Sequence, residues 1–484
     1  MKTLTVFIAS VLLLGGCALP MIDADFPELV NFDHLDHLTE RIAFHGDSVA
    51  IVHIYSNYPD YEWVGAAESG PEGIACVDDA ARAAVVSLRH YELTHDDESL
   101  VRARGLLAFV ADMQTYDGDF YNFIFDDHTI NETGVTSQKS FGWWAARGLW
   151  AMATGCRVLA AVDPSLSRQL AEGVRRSLPQ VDSLLKTYDQ SVMVHGFRVP
   201  RWLPYGSGAD VSSELMLGLA EFVSATQDTS AQLLIMKLAD GLMTMQDGDE
   251  ATYPYGLHRS WETMWHMWGN GQTEALAVTG RLLQDHRMLE SAEREAQGFY
   301  SRLLINGFFK EMNVADSTSR VQFDQIAYGV RPMAVGLVRL YEATGKEEYL
   351  VMAGLAASWL LTNNVVGQPM YDAATGRCFD GIRDSTTVNR NSGAESTIEA
   401  LGTLLEVEHY DLSRRYLHAR KVRTISTRDA RAALFVVPGG NEAVVAVELK
   451  TKSLVVLLGE QADNYFQKLS GKLTSSVKTY HGSM

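Results

Sequence analysis

Ala80-Ala81-Arg82-Ala83-Ala84-Val85-Val86 is the stretch of sequence that decides the fold of this chain. It is rich in small residues and apolar on nearly every side of a helix. A helix without a polar face is buried on all sides. No apolar run beyond the first twenty residues reaches the length of a transmembrane helix, so the stretch predicts a helix at the centre of a large helical assembly.

Helical periodicity extends outward from this stretch, from about residue 76 to residue 420, and the helices come in pairs. The first helix of each pair is apolar nearly all round. The second has a wet face, as residues 165–185 have with Arg168, Glu172 and Arg176. The predicted pairs are 76–94 with 98–114, 140–161 with 164–185, 210–226 with 230–245, 271–284 with 288–303, 324–344 with 347–361, and 393–408 with 412–420.

Loop lengths alternate along these pairs. The turn within a pair is short, whereas the connections between pairs are long and aromatic, at residues 115–139, 187–209, 246–270 and 363–392. An open solenoid is the alternative, but it would not need fully apolar first helices or long loops gathered on one rim. The sequence therefore predicts an all-α fold, an (α/α)6 toroid of six helical hairpins over residues 73–420, with the first helices inside.

Small β-containing appendages are predicted on both sides of the ring. The N-terminal extension, residues 21–72, has a short helical pattern at 35–42 and a strand-like run at 49–55. Residues 421–484 are predicted to form a small β appendage and tail. Two alternating runs, 433–437 and 442–448, flank the hairpin signal Pro438-Gly439-Gly440-Asn441, and the polar end from residue 470 is expected to fray.

The first seventeen residues are predicted to be a signal peptide. Lys2 supplies a positive charge, residues 4–14 are apolar, and Leu14-Gly15-Gly16-Cys17 follows. This ending resembles the lipobox of bacterial lipoproteins, which implies lipidation of Cys17. We therefore expect an exported protein held in the cell envelope by a lipid anchor, at the outer membrane or periplasmic face in a Gram-negative source.

The composition and the cysteine spacing argue against nucleic acid as a partner and against a disulfide framework. Lys and Arg number 41 and Asp and Glu number 60, a net charge of −19, so nucleic acid is not an expected partner. Cys76, Cys156 and Cys378 are odd in number and widely spaced, which predicts free buried thiols. The Asp-Gly-Asp segments at 117–119 and 247–249 are interpreted as turns and not as calcium loops. No cofactor and no metal are expected.

The long loops all lead into the starts of the first helices, so these starts are expected to surround a funnel on one face. Carboxylates and amides occupy them repeatedly. Helix capping is the alternative explanation for any single aspartate, and Asp79 is also placed to form a salt bridge with Arg82. Glu214 and Glu395 lie too deep in their helices for capping, and a buried carboxylate without a partner is costly.

Loop tryptophans and tyrosines supply flat apolar faces of the kind that a sugar ring needs. Some of them will belong to the core, but their gathering beside acids and amides favours a carbohydrate substrate. The residues expected to bind substrate are Asp78, Asp210, Trp143, Trp144, Trp261, His266, Gln272, Asp324, Tyr328, Arg331 and Asn391.

These features together resemble the six-hairpin glycosidase superfamily. The resemblance covers residues 73–420 and includes Glu72-Gly73-Ile74-Ala75-Cys76-Val77-Asp78-Asp79-Ala80-Ala81-Arg82-Ala83 and Asn391-Ser392-Gly393-Ala394-Glu395-Ser396-Thr397. It implies hydrolysis of glycosidic bonds. Because that reaction needs one protonated carboxyl group and one carboxylate, Asp79 paired with Glu214 or Glu395 is the preferred catalytic set.

Three alternatives stay open. A polysaccharide lyase on the same barrel would use Tyr328 or His266 as base, with Arg331 to neutralise a uronate. A non-catalytic glycan-binding lipoprotein would share the aromatics and the anchor. A sugar epimerase is less favoured, because barrels of this plan use paired histidines and a second histidine is not well placed.

Overall fold

A computed structural model describes residues 26–478 of the chain. Its α-helices alternate with loops that carry short strands. The helices are α1 (Asp33–Leu38), α2 (Val77–Thr94), α3 (Asp97–Asp112), α4 (Trp143–Val158), α5 (Pro164–Leu184), α6 (Ala209–Thr226), α7 (Thr229–Thr244), α8 (Gln272–Leu283), α9 (His286–Glu295), α10 (Ser301–Asn306), α11 (Ala327–Thr344), α12 (Glu348–Ala357), α13 (Ala394–Glu408), α14 (Asp411–Leu417) and α15 (Glu460–Lys478).

The six predicted helical pairs are present, and their first helices contact one another in a closed cycle. In order these inner helices are α2, α4, α6, α8, α11 and α13, and α13 contacts α2 again. Each packs against the outer helix that follows it, which is α3, α5, α7, α9, α12 or α14. A π-helical turn, Ala296–Tyr300, joins α9 to α10, so this outer segment continues to Asn306.

Small side chains allow the inner helices to approach closely. Ala80, Ala81 and Ala83 of α2 are fully buried. In α6, a Cβ atom at Gly218 would lie 2.8 Å from the Cα of Trp150 in α4, so only glycine fits where these two helices meet. The small-residue pattern thus sets the diameter of the cycle.

The structure contains more β structure than the all-α prediction. Residues 26–478 include a four-stranded antiparallel sheet of Arg420–Ser426, Ala430–Val436, Glu442–Glu448 and Ser453–Leu458. Eight two-stranded antiparallel pairs also occur in this range, formed by Thr39–Phe44 with Asp47–Val52, Tyr55–Asn57 with Glu62–Val64, Ala75–Cys76 with Phe123–Ile124, Ser191–Val194 with Phe197–Pro200, Gln246–Asp247 with Leu257–His258, Met264–His266 with Glu311–Asn313, Tyr371–Asp372 with Arg377–Cys378, and Gly381–Ile382 with Val388–Asn389.

One local prediction, at the N-terminal flank, is wrong. Residues 39–42 are a strand and not helix, because His45 and Gly46 both have positive φ, 49° and 97°, and form the tight turn of a hairpin. The segment from residue 470 continues as helix to Lys478. The first turns of this helix, α15, pack Ala462, Phe466 and neighbouring side chains on one face of the four-stranded sheet. The other face of that sheet joins the main core.

Cys76, Cys156 and Cys378 are buried free thiols, as predicted. Gly118 and Gly248, at the centres of the two Asp-Gly-Asp segments, both have positive φ, which agrees with their interpretation as turns.

Within residues 26–478, no group of three or more His, Cys, Asp or Glu side chains is arranged to hold a metal ion. A search of the same residues finds no helix with the length and apolarity needed to cross a membrane. Cys17 and the predicted signal peptide lie outside the described residues.

Ion pairs join neighbouring inner helices at their C-terminal ends, and we call this set the base ring. Arg157 of α4 pairs with Glu92 of α2 and with Glu221 of α6. Glu406 of α13 pairs with Arg89 of α2 at 2.8 Å and with Arg339 of α11. Arg281 of α8 lies 3.6 Å from Glu342 of α11. The pairs surround a cavity of about 480 Å³ and fasten the lower end of the cycle.

We expect Arg157→Met to destabilise the protein by about 1–3 kcal/mol, because it leaves Glu92 and Glu221 facing each other without their shared cation. Denaturant unfolding followed by circular dichroism measures the change. Arg287→Met is the matched control, since Arg287 pairs with Asp285 on the exposed surface and should change stability by less than about 0.5 kcal/mol. Equal unfolding midpoints for the two variants would contradict a stabilising role of the base ring.

Candidate active site

A cleft of about 510 Å³ opens where inner helices α2, α4, α11 and α13 begin. The N-terminal extension closes one side of it, and the loop before α13 contributes to another. The polar and aromatic side chains along its walls are Tyr55, Glu68, Glu72, Asp78, Asp79, Arg82, Asn122, Phe123, Thr136, Trp143, Trp144, Tyr328, Asp380, Glu395 and Ser396.

The acids at the inner-helix starts are not caps of their own helices. Four outer helices begin after an aspartate that accepts a hydrogen bond from the first turn: Asp96, Asp163, Asp228 and Asp285. Inner helices α4, α6, α8 and α13 begin after glycine instead, and α11 after isoleucine, without a side-chain cap. In α2 the side chain of Cys76 accepts from the backbone N–H of Asp79, so the carboxylates of α2 and α13 are free for other contacts.

Arg82 is the centre of the cleft floor. Its guanidinium group contacts Asp79 at 2.7 Å and Asp78 at 3.1 Å on its own helix. It also reaches α13, where it contacts Glu399 at 2.9 Å and Glu395 at 3.3 Å. Arg82 is only 7% exposed, so one buried cation fixes four carboxyl groups from the first and last inner helices.

A second buried arginine, Arg147 of α4, extends this network. It forms hydrogen bonds to Asp78 and to the hydroxyl of Tyr328. It lies 3.8 Å from Glu214 of α6, whose Oε2 atom has no hydrogen-bond partner among residues 26–478. The Tyr328 ring lies against both guanidinium groups, 5.3 Å from Arg82 and 5.1 Å from Arg147.

In the buried network around Arg82 and Arg147, carboxyl groups outnumber guanidinium groups. Asp78, Asp79, Glu214, Glu274, Glu395 and Glu399 face only three arginines, Arg82, Arg147 and Arg331. Burial raises the pKa of Asp79 and of Glu214, and it raises the pKa of Glu274 and of Glu395 to about 7. For Asp78, burial acts in the same direction, but Arg147 and Arg82 outweigh it and lower the pKa.

Glu395 differs from the other acids of this network in its access to the cleft. Its side chain is 45% exposed, although the surrounding protein disfavours its charged form. A carboxyl group that keeps its proton near neutral pH and faces an open cleft is suited to donate that proton.

Asp380 is a cleft residue that sequence reasoning missed. Its Oδ1 atom accepts hydrogen bonds from the backbone N–H of Gly393, at 2.8 Å, and from the hydroxyl of Ser396. Burial raises its pKa. Asp380 lies in the long connection between α12 and α13, where no helical periodicity places a side chain in advance. The same holds for Tyr55, Glu68 and Glu72 of the N-terminal extension.

Six of the predicted site residues line the cleft together: Asp78, Asp79, Glu395, Trp143, Trp144 and Tyr328. The indole N–H of Trp144 donates to the carbonyl of Phe120 at 3.0 Å, which fixes the ring in the wall. Glu214 lies deeper, against Arg147, and is not part of the cleft wall.

The other predicted residues do not line this cleft. Asp210 and His266 are buried and pair with each other at 3.2 Å, and Arg331 forms a two-pronged pair with Glu274. The Gln272 amide donates to the carbonyl of Gly269. Asn391 accepts from the backbone of Tyr58, Trp261 is half exposed, and Asp324 is exposed because α11 begins at Ala327 and not at residue 324.

Comparison with solved structures finds proteins that share this fold. A sugar epimerase from a ruminal bacterium is 12% identical with a TM-score of 0.54, over 79% of this chain and 98% of that one. A cellobiose 2-epimerase from Bacillus thermoamylovorans is 10% identical with a TM-score of 0.53, over 79% and 96%. A D-mannose isomerase is 13% identical with a TM-score of 0.51, over 74% and 91%. The fold is that of the six-hairpin (α/α)6 barrels. No family model matches the chain, and no curated protein gives a significant match.

We expect the buried carboxyl groups with raised pKa values to contribute less stability as pH rises from about 5 to about 8. A carboxyl group with a raised pKa holds its proton more tightly in the folded protein than in the unfolded chain, so stability present near the ordinary glutamate pKa of about 4.3 is lost as the folded group ionises. Glu214→Gln removes one such group, so its melting temperature should rise relative to that of the wild type as pH goes from about 5 to about 8. Thermal melts monitored by circular dichroism at both pH values test this.

Glu98→Gln is the control for this measurement, because Glu98 is exposed at the start of α3. It should retain the full pH dependence of the wild type. A Glu214→Gln protein whose melting temperature changes with pH in the same way as that of the wild type would contradict a raised pKa at Glu214.

Proposed function

We propose that this protein is a carbohydrate-active enzyme that hydrolyses glycosidic bonds in the cleft, with Glu395 as the proton donor. The observation that carries the proposal is the environment of Glu395, which is open to the cleft and has a pKa raised to about 7 by burial. Trp143, Trp144 and Tyr55 stand around it in the cleft walls, and aromatic rings of this kind pack on the C–H faces of sugars.

In the proposed reaction the protonated carboxyl group of Glu395 gives its proton to the glycosidic oxygen as the bond from that oxygen to the anomeric carbon breaks. Arg82 holds the Glu395 carboxyl group in place at 3.3 Å. The same cation stabilises the negative charge that Glu395 acquires when the proton leaves. Hydrolysis also needs a carboxylate that takes a proton from the attacking water.

Asp380 is the proposed base. Arg147 and Arg82 lower the pKa of Asp78 and make it a poor proton acceptor. Both oxygens of Asp79 are already engaged, one by Arg82 and the other by the thiol of Cys76. In Asp380 one oxygen is fixed by Gly393 and Ser396, and the group lines the same cleft as Glu395. In this proposal Asp79, the preferred catalytic residue of the sequence analysis, positions Arg82 and does not meet the substrate bond.

Sugar epimerisation or isomerisation is the second candidate function. The observation that favours it is the set of solved structures with this fold, which includes a sugar epimerase, a cellobiose 2-epimerase and a D-mannose isomerase. No histidine lines the cleft within residues 26–478, so the paired histidines expected for an epimerase are not met there. Product mass separates the two functions, because hydrolysis adds water and epimerisation leaves the mass unchanged.

We expect Glu395→Gln to lower kcat/KM by about 10²–10⁴ on any oligosaccharide that the wild type cleaves, because the amide cannot donate the proton. In the wild type, activity should fall as pH rises above about 7, where the donor loses its proton. Mass spectrometry of a panel of cell-wall and plant oligosaccharides identifies the substrate, and initial rates across pH give the profile.

Glu408→Gln is the matched control. Glu408 lies on the same helix and also has a pKa raised by burial to about 7, but it accepts a hydrogen bond from the backbone of Leu29 away from the cleft. It should keep its kcat/KM. Full activity in Glu395→Gln would refute the proposed donor. An unsaturated product would indicate a lyase, although Tyr328 is a poor base for that reaction because burial raises its pKa further. Binding without any product would indicate a glycan-binding protein.

The lipobox supports the further proposal that the enzyme works at the cell envelope, attached through Cys17. We expect Cys17→Ala to abolish incorporation of radiolabelled palmitate and to move the protein from the membrane fraction to the soluble fraction. Cys156→Ala is the control, because that thiol is buried in the fold. Equal labelling of Cys17→Ala and wild type would show that Cys17 is not lipidated.

A further inference from the structure

Two large aromatic side chains are exposed on the loops beside the cleft, and we call them the rim pair. Tyr205 lies before α6 and is 66% exposed. Trp261 lies in the connection between α7 and α8 and is 49% exposed. Neither side chain lines the cleft that contains Glu395, so both rings are exposed on the surface outside that cleft.

Hydrogen bonds connect the rim pair to the cleft wall and to each other's loops. The backbone N–H of Trp143 donates to the Tyr205 hydroxyl at 3.3 Å, and the Trp143 side chain lines the cleft. The loop of Trp261 is fastened to the loop of Tyr205, because the backbone N–H of Glu262 donates to the hydroxyl of Ser207 at 3.3 Å. The backbone N–H of Ala209 donates to the carbonyl of Ser260 at 2.9 Å. The loops of Tyr205 and Trp261 are therefore fastened to each other, and Tyr205 is fastened to the start of α4, where Trp143 lies.

The backbone at this place is held in an uncommon conformation. Tyr205 has φ of 55°, and Glu262, next to Trp261, has φ of 44°. Residues other than glycine rarely adopt positive φ, and asparagine and aspartate accept it more readily than tyrosine or glutamate. The loops thus hold an exposed tyrosine in a backbone conformation that tyrosine disfavours. Contacts with the surrounding residues must maintain this conformation.

We propose that the rim pair is a binding subsite for sugar units beyond the one whose bond is cleaved, so that the substrate is an oligosaccharide or polysaccharide chain running from the cleft past Trp143 to Tyr205 and Trp261. The proposal rests on the proposed function. Flat rings at the surface offer stacking faces to sugar rings, and such contacts strengthen binding without distinguishing one hydroxyl pattern sharply from another. A mono- or disaccharide in the cleft would gain nothing from the rim pair.

The test uses the full chain carrying Glu395→Gln, so that the sugars stay intact, and isothermal titration calorimetry. The probes are di- and hexasaccharides of β-1,4-linked glucose, xylose, mannose and N-acetylglucosamine. We expect at least one series to bind, with the hexasaccharide at least about tenfold tighter than the disaccharide. Adding Trp261→Ala or Tyr205→Asn should remove most of that gain and leave the disaccharide affinity unchanged. Asparagine is chosen because it accepts positive φ.

Leu233→Ala is the control for truncating an exposed apolar side chain, since Leu233 is 60% exposed on outer helix α7, and it should not alter either affinity. Circular dichroism confirms that each variant is folded. A hexasaccharide that binds the rim variants as tightly as their parent overturns the subsite while the proposed function stands. A parent that binds none of the eight sugars counts against the proposed function itself, and the subsite falls with it.

Discussion

The site depends on one buried cation, Arg82. Its guanidinium group contacts carboxyl groups of α2 and of α13, and these helices are the first and the last of the inner cycle. The contact therefore does two things at once, because it joins the two ends of the cycle and brings Glu395 to the cleft floor. Removal of the cation would leave four carboxyl groups close together without compensation, which is among the costliest changes a protein interior can undergo.

The two ends of the helical cycle differ in their balance of arginine and carboxyl groups. At the base ring, arginines and glutamates are balanced, and Arg339 and Arg89 overcome burial to lower the pKa of Glu406 to about 2. Around Arg82 and Arg147 the carboxyl groups are in excess, and the pKa of Glu395 is raised to about 7. The balanced end contributes stability, whereas the unbalanced end retains protons near neutral pH, which is the property that acid catalysis requires.

Much of the helical framework could be predicted from the sequence, because a fully apolar first helix and a half-polar second helix leave distinct patterns. The bounds of the six pairs agree with prediction to within a few residues at most ends. The acids of α2 and α13, Asp78, Asp79 and Glu395, could be placed at the cleft for the same reason. Asp380 could not, since its position depends on the path of the long connection between α12 and α13, whose turns are fixed by tertiary contacts. Glu214 was predicted to face the funnel, but helical periodicity gives direction and not depth, and Arg147 covers it.

The different beginnings of inner and outer helices have a consequence for how the chain assembles. An outer helix that starts after its own aspartate carries a local signal and gains a first turn without help from distant residues. An inner helix that starts after glycine has no such signal and becomes stable only when its neighbours surround it. Since three of the four helix starts around the cleft, those of α4, α11 and α13, have no side-chain cap, the geometry of the cleft is expected to be completed among the last events of folding. A partly folded chain would then carry no activity.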